Sequence, residues 1–343
     1  CILYGELYTK YKSEIIKQVE SKTDIDGSKL KRSKANDVII PCSGETAVDI
    51  ATARCVPFDS ILLGGDLNVI SLHKYDGAFM SYQLNGKRKY DIARVAQGVS
   101  VVHLYGEHLK TIKTYNPTLP EQQKIAILLS LLDERIATQN KIIEDLKKLK
   151  CAIIEKLYSK IQGKEYSYGQ LFDVVNERNK QMEYSNILSA SQEKGMVNRD
   201  DLNLDIQFER SNINTYKIVR KGDCVIHLRS FQGGFAFSDK LGVCSPAYTI
   251  LRPNSLLEYS YLSYYFTSRR FIKSLIIVTY GIRDGRSINV EEWLNMKVVI
   301  PSKEHQLHTL NVLKRIDDKV ENEEKYATCL SNQKQYLLRQ MFI

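Results

Sequence analysis

Apolar side chains between residues 119 and 160 recur at alternating spacings of four and three, as Ile125, Leu129, Leu132, Ile136, then Ile143, Leu146, Ile153 and Leu157. Neither glycine nor proline interrupts the run between Pro120 and Gly163, so the pattern predicts one amphipathic helix of some forty residues. The same signal returns at the end of the chain. Shifting the sequence by 184 residues lays Pro117 on Pro301, Gln122 on Gln306, Leu129 on Leu313, Asp133 on Asp317, Leu146 on Leu330 and Lys150 on Lys334. A second helical run therefore passes through Leu313, Ile316, Val320, Leu330, Leu337 and Met341. Polar residues break both stripes at matching places, Gln139 and Lys150 in the first and Glu323 and Lys334 in the second. Polar residues at such positions can fix register and orientation in a coiled coil. The nearest equivalent partner for each stripe is the other helix.

The remaining blocks read differently. Residues 1–116 carry short apolar runs, Val38–Ile40, Ile61–Leu63 and Val99–Leu104, separated by turn pairs such as Ser43–Gly44 and Asn85–Gly86. Residues 161–300 look alike, with strand-like runs at Cys224–Ile226, Tyr248–Leu251 and Ile276–Val278 and helix between Glu258 and Ser274. The expected organisation is a domain at 1–116, a helical spacer at 117–160, a second domain at 161–300 and a closing helix at 301–343. The fold class is α+β: two globular domains separated by two long antiparallel helices that form a coiled coil. A rod of about 38 helical residues is roughly 57 Å long. Antiparallel rods would set two similar domains at opposite ends, as a ligand with two separated half-sites requires; duplex DNA, at about 34 Å per turn, is the obvious candidate.

Composition narrows this only slightly. The 343 residues carry a net charge of +9, with the cationic excess spread along the chain rather than gathered in a tail, so phosphate contact would come from folded faces. No stretch is apolar enough to span a membrane, and the expected location is cytoplasmic. Seven cysteines, never spaced as CxxC, read as buried thiols rather than a disulfide framework or zinc ribbon. His305 and His308 share a helix face but have no third clustered ligand, so no metal site is expected. Phosphate-cradling GxxxxGK[ST] and dinucleotide-binding GxGxxG motifs are missing, as is an NPPY-like adenine methyltransferase motif.

The run Asn116-Pro117-Thr118-Leu119-Pro120-Glu121-Gln122-Gln123-Lys124-Ile125-Ala126, followed by Leu132-Asp133 and the heptads, resembles the conserved region of specificity subunits of type I restriction-modification systems. Its second copy starts at Ile300-Pro301, with Glu304-His305-Gln306 where the first has Pro120-Glu121-Gln122. The stretches Tyr216–Asp223, Gly233–Ala236 and Gly242–Tyr248 resemble the core of one type of target recognition domain. The triplets Gly98-Val99-Ser100 and Gly285-Arg286-Ser287 each precede a conserved segment, as in that family. The resemblance further implies a strand and loop before Tyr4–Tyr8, so the first domain is expected to lack its start. It implies a non-catalytic subunit that reads bipartite double-stranded DNA and docks modification subunits, two in number by family pattern, which methylate adenine. A restriction subunit would join that core. S-adenosylmethionine, ATP and Mg would be bound by those partners, and no cofactor by this chain.

Loops supply the expected DNA contacts. In the first domain these are Ser43 and Thr46 at a strand end and the basic turn Lys87, Arg88, Lys89; in the second, Arg229, Ser230 and Gln232, then Arg283, Arg286 and Ser287. Lysines suit phosphates, whereas Arg and Gln present the donors that read guanine and adenine edges. A standalone nucleic-acid-binding regulator and a coiled-coil adaptor are the competing readings.

Overall fold

The computed structural model describes residues 1–191, 194–202, 210–227, 234–280 and 287–342. The fold is α+β, and by contact the chain divides into two compact units. One holds residues 1–143 and 322–343, the other residues 144–321, so each unit takes a segment of both long helices.

The first long helix spans Leu119–Ser159. Pro120 lies in its first turn, where a missing N–H costs nothing, and Glu121 accepts from the Thr118 N–H (3.0 Å) and hydroxyl (2.6 Å). The second spans Lys303–Gln340 and starts after Pro301-Ser302. Within the first unit Asp133 meets Lys334 while Gln139, further along the first helix, meets Glu323, nearer the start of the second. Those two segments therefore run antiparallel.

The first unit is built around an antiparallel three-stranded sheet, in the order Arg54–Val56, Asp37–Pro41, Leu67–Ile70. Its central strand is buried along its whole length, which explains the unbroken apolar run. Val38 and Ile40 enter one cluster with Ile50, Met80 and Ile92; Ile39 faces the other side with Leu7, Ile16 and Val56. The second unit repeats the device. Cys224–Ile226 lies between Phe235–Phe237 and Thr249–Pro253 in a four-stranded antiparallel sheet completed by Phe172–Val175. Cys224 and Ile226 face an aromatic core containing Phe266, Phe271 and Trp293, and Val225 faces Leu188, Met196 and Ile250. Tyr168 stacks on Trp293 with ring centroids 4.2 Å apart.

Three local expectations change. Asn85-Gly86 does not turn between strands: Asn85 closes the helix Gly77–Asn85 and Gly86 is its C-cap. That helix starts because the Asp76 carboxylate accepts from the Phe79 N–H at 2.7 Å, and it continues because its residues bury against the sheet. Ile276–Val278 belongs to a 3-10 turn, Leu275–Val278, rather than a strand. The run Val99–Leu104 forms a strand only at Val102–His103. Among the cysteines Cys55, Cys224 and Cys244 are buried and burial pushes their thiols up to about 12, but Cys151 and Cys329 are exposed on the long helices. No helix among the described residues is long and apolar enough to cross a membrane.

Candidate functional site

The ends of the long helices do not pair only with each other; they enter the domain cores. Leu129, Ile125, Leu337 and Met341 pack with Phe79 and Tyr82 of the helix Gly77–Asn85. In the second unit Leu313 and Ile316 join Ile153, Ile154 and Leu157 in the aromatic core beside Tyr261 and Leu262. Val320 and Leu330 are buried as well, and Leu132, Ile136 and Leu146 are half-buried.

Each domain is fastened to the helix that follows it by a glutamine. The Gln122 carboxamide accepts from the Asp76 N–H at 2.9 Å and donates to the Pro117 carbonyl at 2.8 Å. Gln306 accepts from the Glu258 N–H at 2.7 Å and donates to the Leu256 and Pro301 carbonyls, both at 3.1 Å. Both side chains are buried, so their carboxamides find in these backbone groups the partners that water would otherwise supply.

Deeper along the helices lies a lysine clasp, present in both units. In the first, Lys334 Nζ is 2.5 Å from Asp133 and 2.6 Å from Glu14, and lies 5.7 Å from the Tyr82 ring centroid. The Tyr82 hydroxyl donates to Asp133 at 2.7 Å and the Ser13 hydroxyl to the same oxygen at 3.0 Å. In the second, Lys150 pairs with Asp317 and lies 5.3 Å from the Tyr264 ring centroid, while the Tyr264 hydroxyl donates to Asp317 at 2.6 Å. Burial, reinforced by the neighbouring aspartate, pushes both phenols up, which keeps them as donors. Lys150 and Lys334 thus each pair with an aspartate on the other long helix. Gln139 bonds the Glu323 carbonyl at 3.2 Å and its carboxylate, linking the two remaining polar stripe positions. Arg135 adds a contact to the Tyr326 hydroxyl and ring.

The expected contact loops have mixed surroundings. Ser43 is buried, and its hydroxyl donates to Asp66 at 3.2 Å. Thr46 caps the short helix Ala47–Ile50, accepting from the Asp49 N–H at 3.1 Å and donating to its carboxylate at 2.6 Å. Both hydroxyls have structural work, which the sequence reading did not foresee. Within the basic turn Lys87 is exposed, Arg88 lies 3.5 Å from Asp91, and Lys89 is half-buried, its ammonium pushed down by desolvation and the nearby Arg54 charge. Gly86, at the root of this turn, approaches the last turn of the second long helix so closely that a Cβ would lie 2.8 Å from the Leu338 carbonyl oxygen. Ser287 is exposed in a two-stranded ribbon with Tyr280. Arg229, Ser230, Gln232, Arg283 and Arg286 lie outside the described residues. His305 and His308 are exposed, and among the described residues no group of three or more His, Cys, Asp or Glu side chains could hold a metal ion.

Comparison with known proteins points to the same kind of subunit. Residues 7–148 match the model of the type I restriction modification DNA specificity domain. The type I restriction enzyme MjaVIII specificity subunit of Methanocaldococcus jannaschii is 25% identical, with 84% of this chain and 74% of that protein covered. Over residues 7–148 the chain is thus similar to the DNA specificity domain of type I restriction-modification systems, and over most of its length to a specificity subunit of such a system. Such subunits are non-catalytic. The putative MjaX specificity subunit of the same organism is also 25% identical, over 63% of this chain and 55% of that one. The fold agrees. The crystal structure of the type I system S subunit from M. genitalium superposes with a TM-score of 0.54 at 17% identity, covering 97% of this chain and 89% of that one. A structure described as the basis of complex assembly and conformational transition of the type I R-M system gives 0.55 at 14% identity, covering 90% and 82%.

Proposed function

We propose that this chain is a specificity subunit that reads a bipartite sequence in double-stranded DNA, each domain taking one half-site. The domains are those expected at 1–116 and 161–300, with the segments 117–160 and 301–343 serving as the spacer. The observation that carries this reading is the duplication itself. Each unit holds the same anchoring set, Gln122, Asp133, Lys334 and Tyr82 in one and Gln306, Asp317, Lys150 and Tyr264 in the other. A chain that fastens two similar domains to helices in the same way has the organisation a two-part target requires.

On this reading the helices also carry the modification subunits, two per complex, and a restriction subunit joins the assembly in the cytoplasm. Adenine methylation uses S-adenosylmethionine on the modification subunits, and ATP and Mg serve the restriction subunit. Exposed Lys87 positions phosphate, whereas Arg229, Gln232 and Arg286 read bases, with Arg283, Ser230 and Ser287 supporting them.

The test is to express the chain with its modification subunits and map methylated adenines. Two short constant elements separated by unspecified bases are expected. Inserting or deleting one heptad within residues 125–157 should change the gap and leave both elements intact. Altered elements would break the division of labour, and tight specific binding by the chain alone would favour a standalone regulator.

A further inference from the structure

Val99 has no part in holding the fold. At 97% relative exposure it is the most exposed of the large apolar residues in the described structure. The loop that carries it is nevertheless tightly built. Gln97 and His103 exchange both backbone hydrogen bonds, at 2.9 and 2.7 Å. Gly98 has φ of +124°, and a Cβ there would lie 2.1 Å from the Val101 carbonyl oxygen, so the turn requires glycine. Its base is anchored: Val102 and Leu104 are buried in the core, the Leu104 N–H donates to the Cys42 carbonyl at 2.7 Å, and His103 pairs with Ser43. The base of the turn is thus fixed to the domain while its apolar tip stands in solvent.

The internal repeat says what such a tip could be for. Gly98-Val99-Ser100 and Gly285-Arg286-Ser287 precede the two copies of the helical segment, and between them the middle residue changes from an aliphatic side chain to a guanidinium. In the major groove these side chains select different features. A guanidinium pairs with guanine, and a small aliphatic group meets the 5-methyl of thymine. That groove is wide enough to admit a two-stranded ribbon.

We propose that Val99 contacts the 5-methyl group of a thymine in the half-site read by the first domain. This rests on the DNA-reading function proposed above. The experiment uses the chain assembled with its modification subunits and a duplex carrying the mapped target. Each thymine of the first half-site is replaced in turn by deoxyuridine, which removes only the methyl group. One replacement is expected to weaken binding about fourfold, the size of burying one methyl-sized apolar group. Val99→Ala should weaken binding to the parent duplex by a similar factor and be indifferent to that replacement. Thymines of the second half-site supply the control, because their replacement should act equally on both proteins. A first half-site without thymine, the lack of any sensitive position, or a sensitive position that persists in Val99→Ala would each overturn the proposal while leaving the DNA-reading function standing. An assembled complex that neither binds nor methylates any defined sequence would sink both.

Discussion

The two lysine clasps share a plan and differ in depth. In the first unit the side chains of Lys334 and Asp133 are only 11% and 8% exposed, and a second carboxylate, Glu14, faces the same ammonium. In the second, Lys150 and Asp317 are 29% and 37% exposed, and the hydroxyl of Tyr264 completes the set. Arg54, itself buried, places a further charge near the first clasp; desolvation pulls its guanidinium down while Glu14 and Asp133 pull it up. A duplicated constellation has therefore become a buried charge cluster in one unit and a half-exposed ion pair in the other. Energetically these are different objects. Exposed pairs contribute little because water competes for both partners, whereas a buried charge that loses its partner has no substitute.

The largest effect follows from that contrast. Lys334→Ala strands two buried carboxylates and should destabilise the first unit by about 3–5 kcal/mol. Trp293, the single tryptophan, lies in the core of the second unit, so its fluorescence reports that unit while circular dichroism reports both. In a urea titration of the full chain, the Lys334→Ala loss should appear in the dichroism before Trp293 responds. If the fluorescence transition moved equally, the clasp would not be a local device.

Much of this arrangement was legible as position and little as role. Gln122 and Gln306, Asp133 and Asp317, and Lys150 and Lys334 all coincide under the 184-residue shift. The pattern showed polar residues on an apolar stripe but could not show that each lysine answers an aspartate on the other helix, because partners across an antiparallel pair have no fixed spacing in sequence. Tyr82 and Tyr264 stayed hidden for a related reason. They are 182 residues apart (264 − 82), two fewer than the helical repeat, since loops between domain and helix differ in length. Ser43 and Thr46 look like polar loop residues until the sheet brings Asp66 to one and the helix start beyond it gives the other an N–H to cap.

A middle-sized effect would sharpen the comparison by removing the group found only in the first clasp. Desolvation raises the Glu14 carboxyl above its ordinary value of 4.5, against the pull of Lys334 and with a push from Asp133. An acid whose pKa is raised on folding stabilises the fold while protonated, below its unfolded value, and that contribution is lost as pH rises through the folded value. Wild type should therefore lose stability relative to Glu14→Gln from about pH 4.5 upward, at no more than about 1.4 kcal/mol per pH unit for one proton. Lys334 keeps Asp133 as its partner in that variant, and taking the difference between proteins cancels other groups that titrate in the same window. Urea midpoints of the two proteins at several pH values measure it. Parallel curves would mean that Glu14 is not held in the low-dielectric setting the structure shows.

The smallest effect sits on the other clasp and sets the baseline for the rest. Lys150→Ala removes a half-exposed ammonium from Asp317, which keeps the Tyr264 hydroxyl and gains access to water. A cost of about 0–1 kcal/mol is expected, read as a small shift of the Trp293 fluorescence transition. Because exposed pairs are screened by ions, the difference between Lys150→Ala and wild type should shrink further as salt rises, while that of Lys334→Ala should hardly change. If Lys150→Ala instead cost as much as Lys334→Ala at every salt concentration, exposure would not be what separates the two clasps. The extra carboxylate of Glu14 would then be incidental to the stability of the first, and the shared Asp, Lys and Tyr set would be the whole of the device in both units.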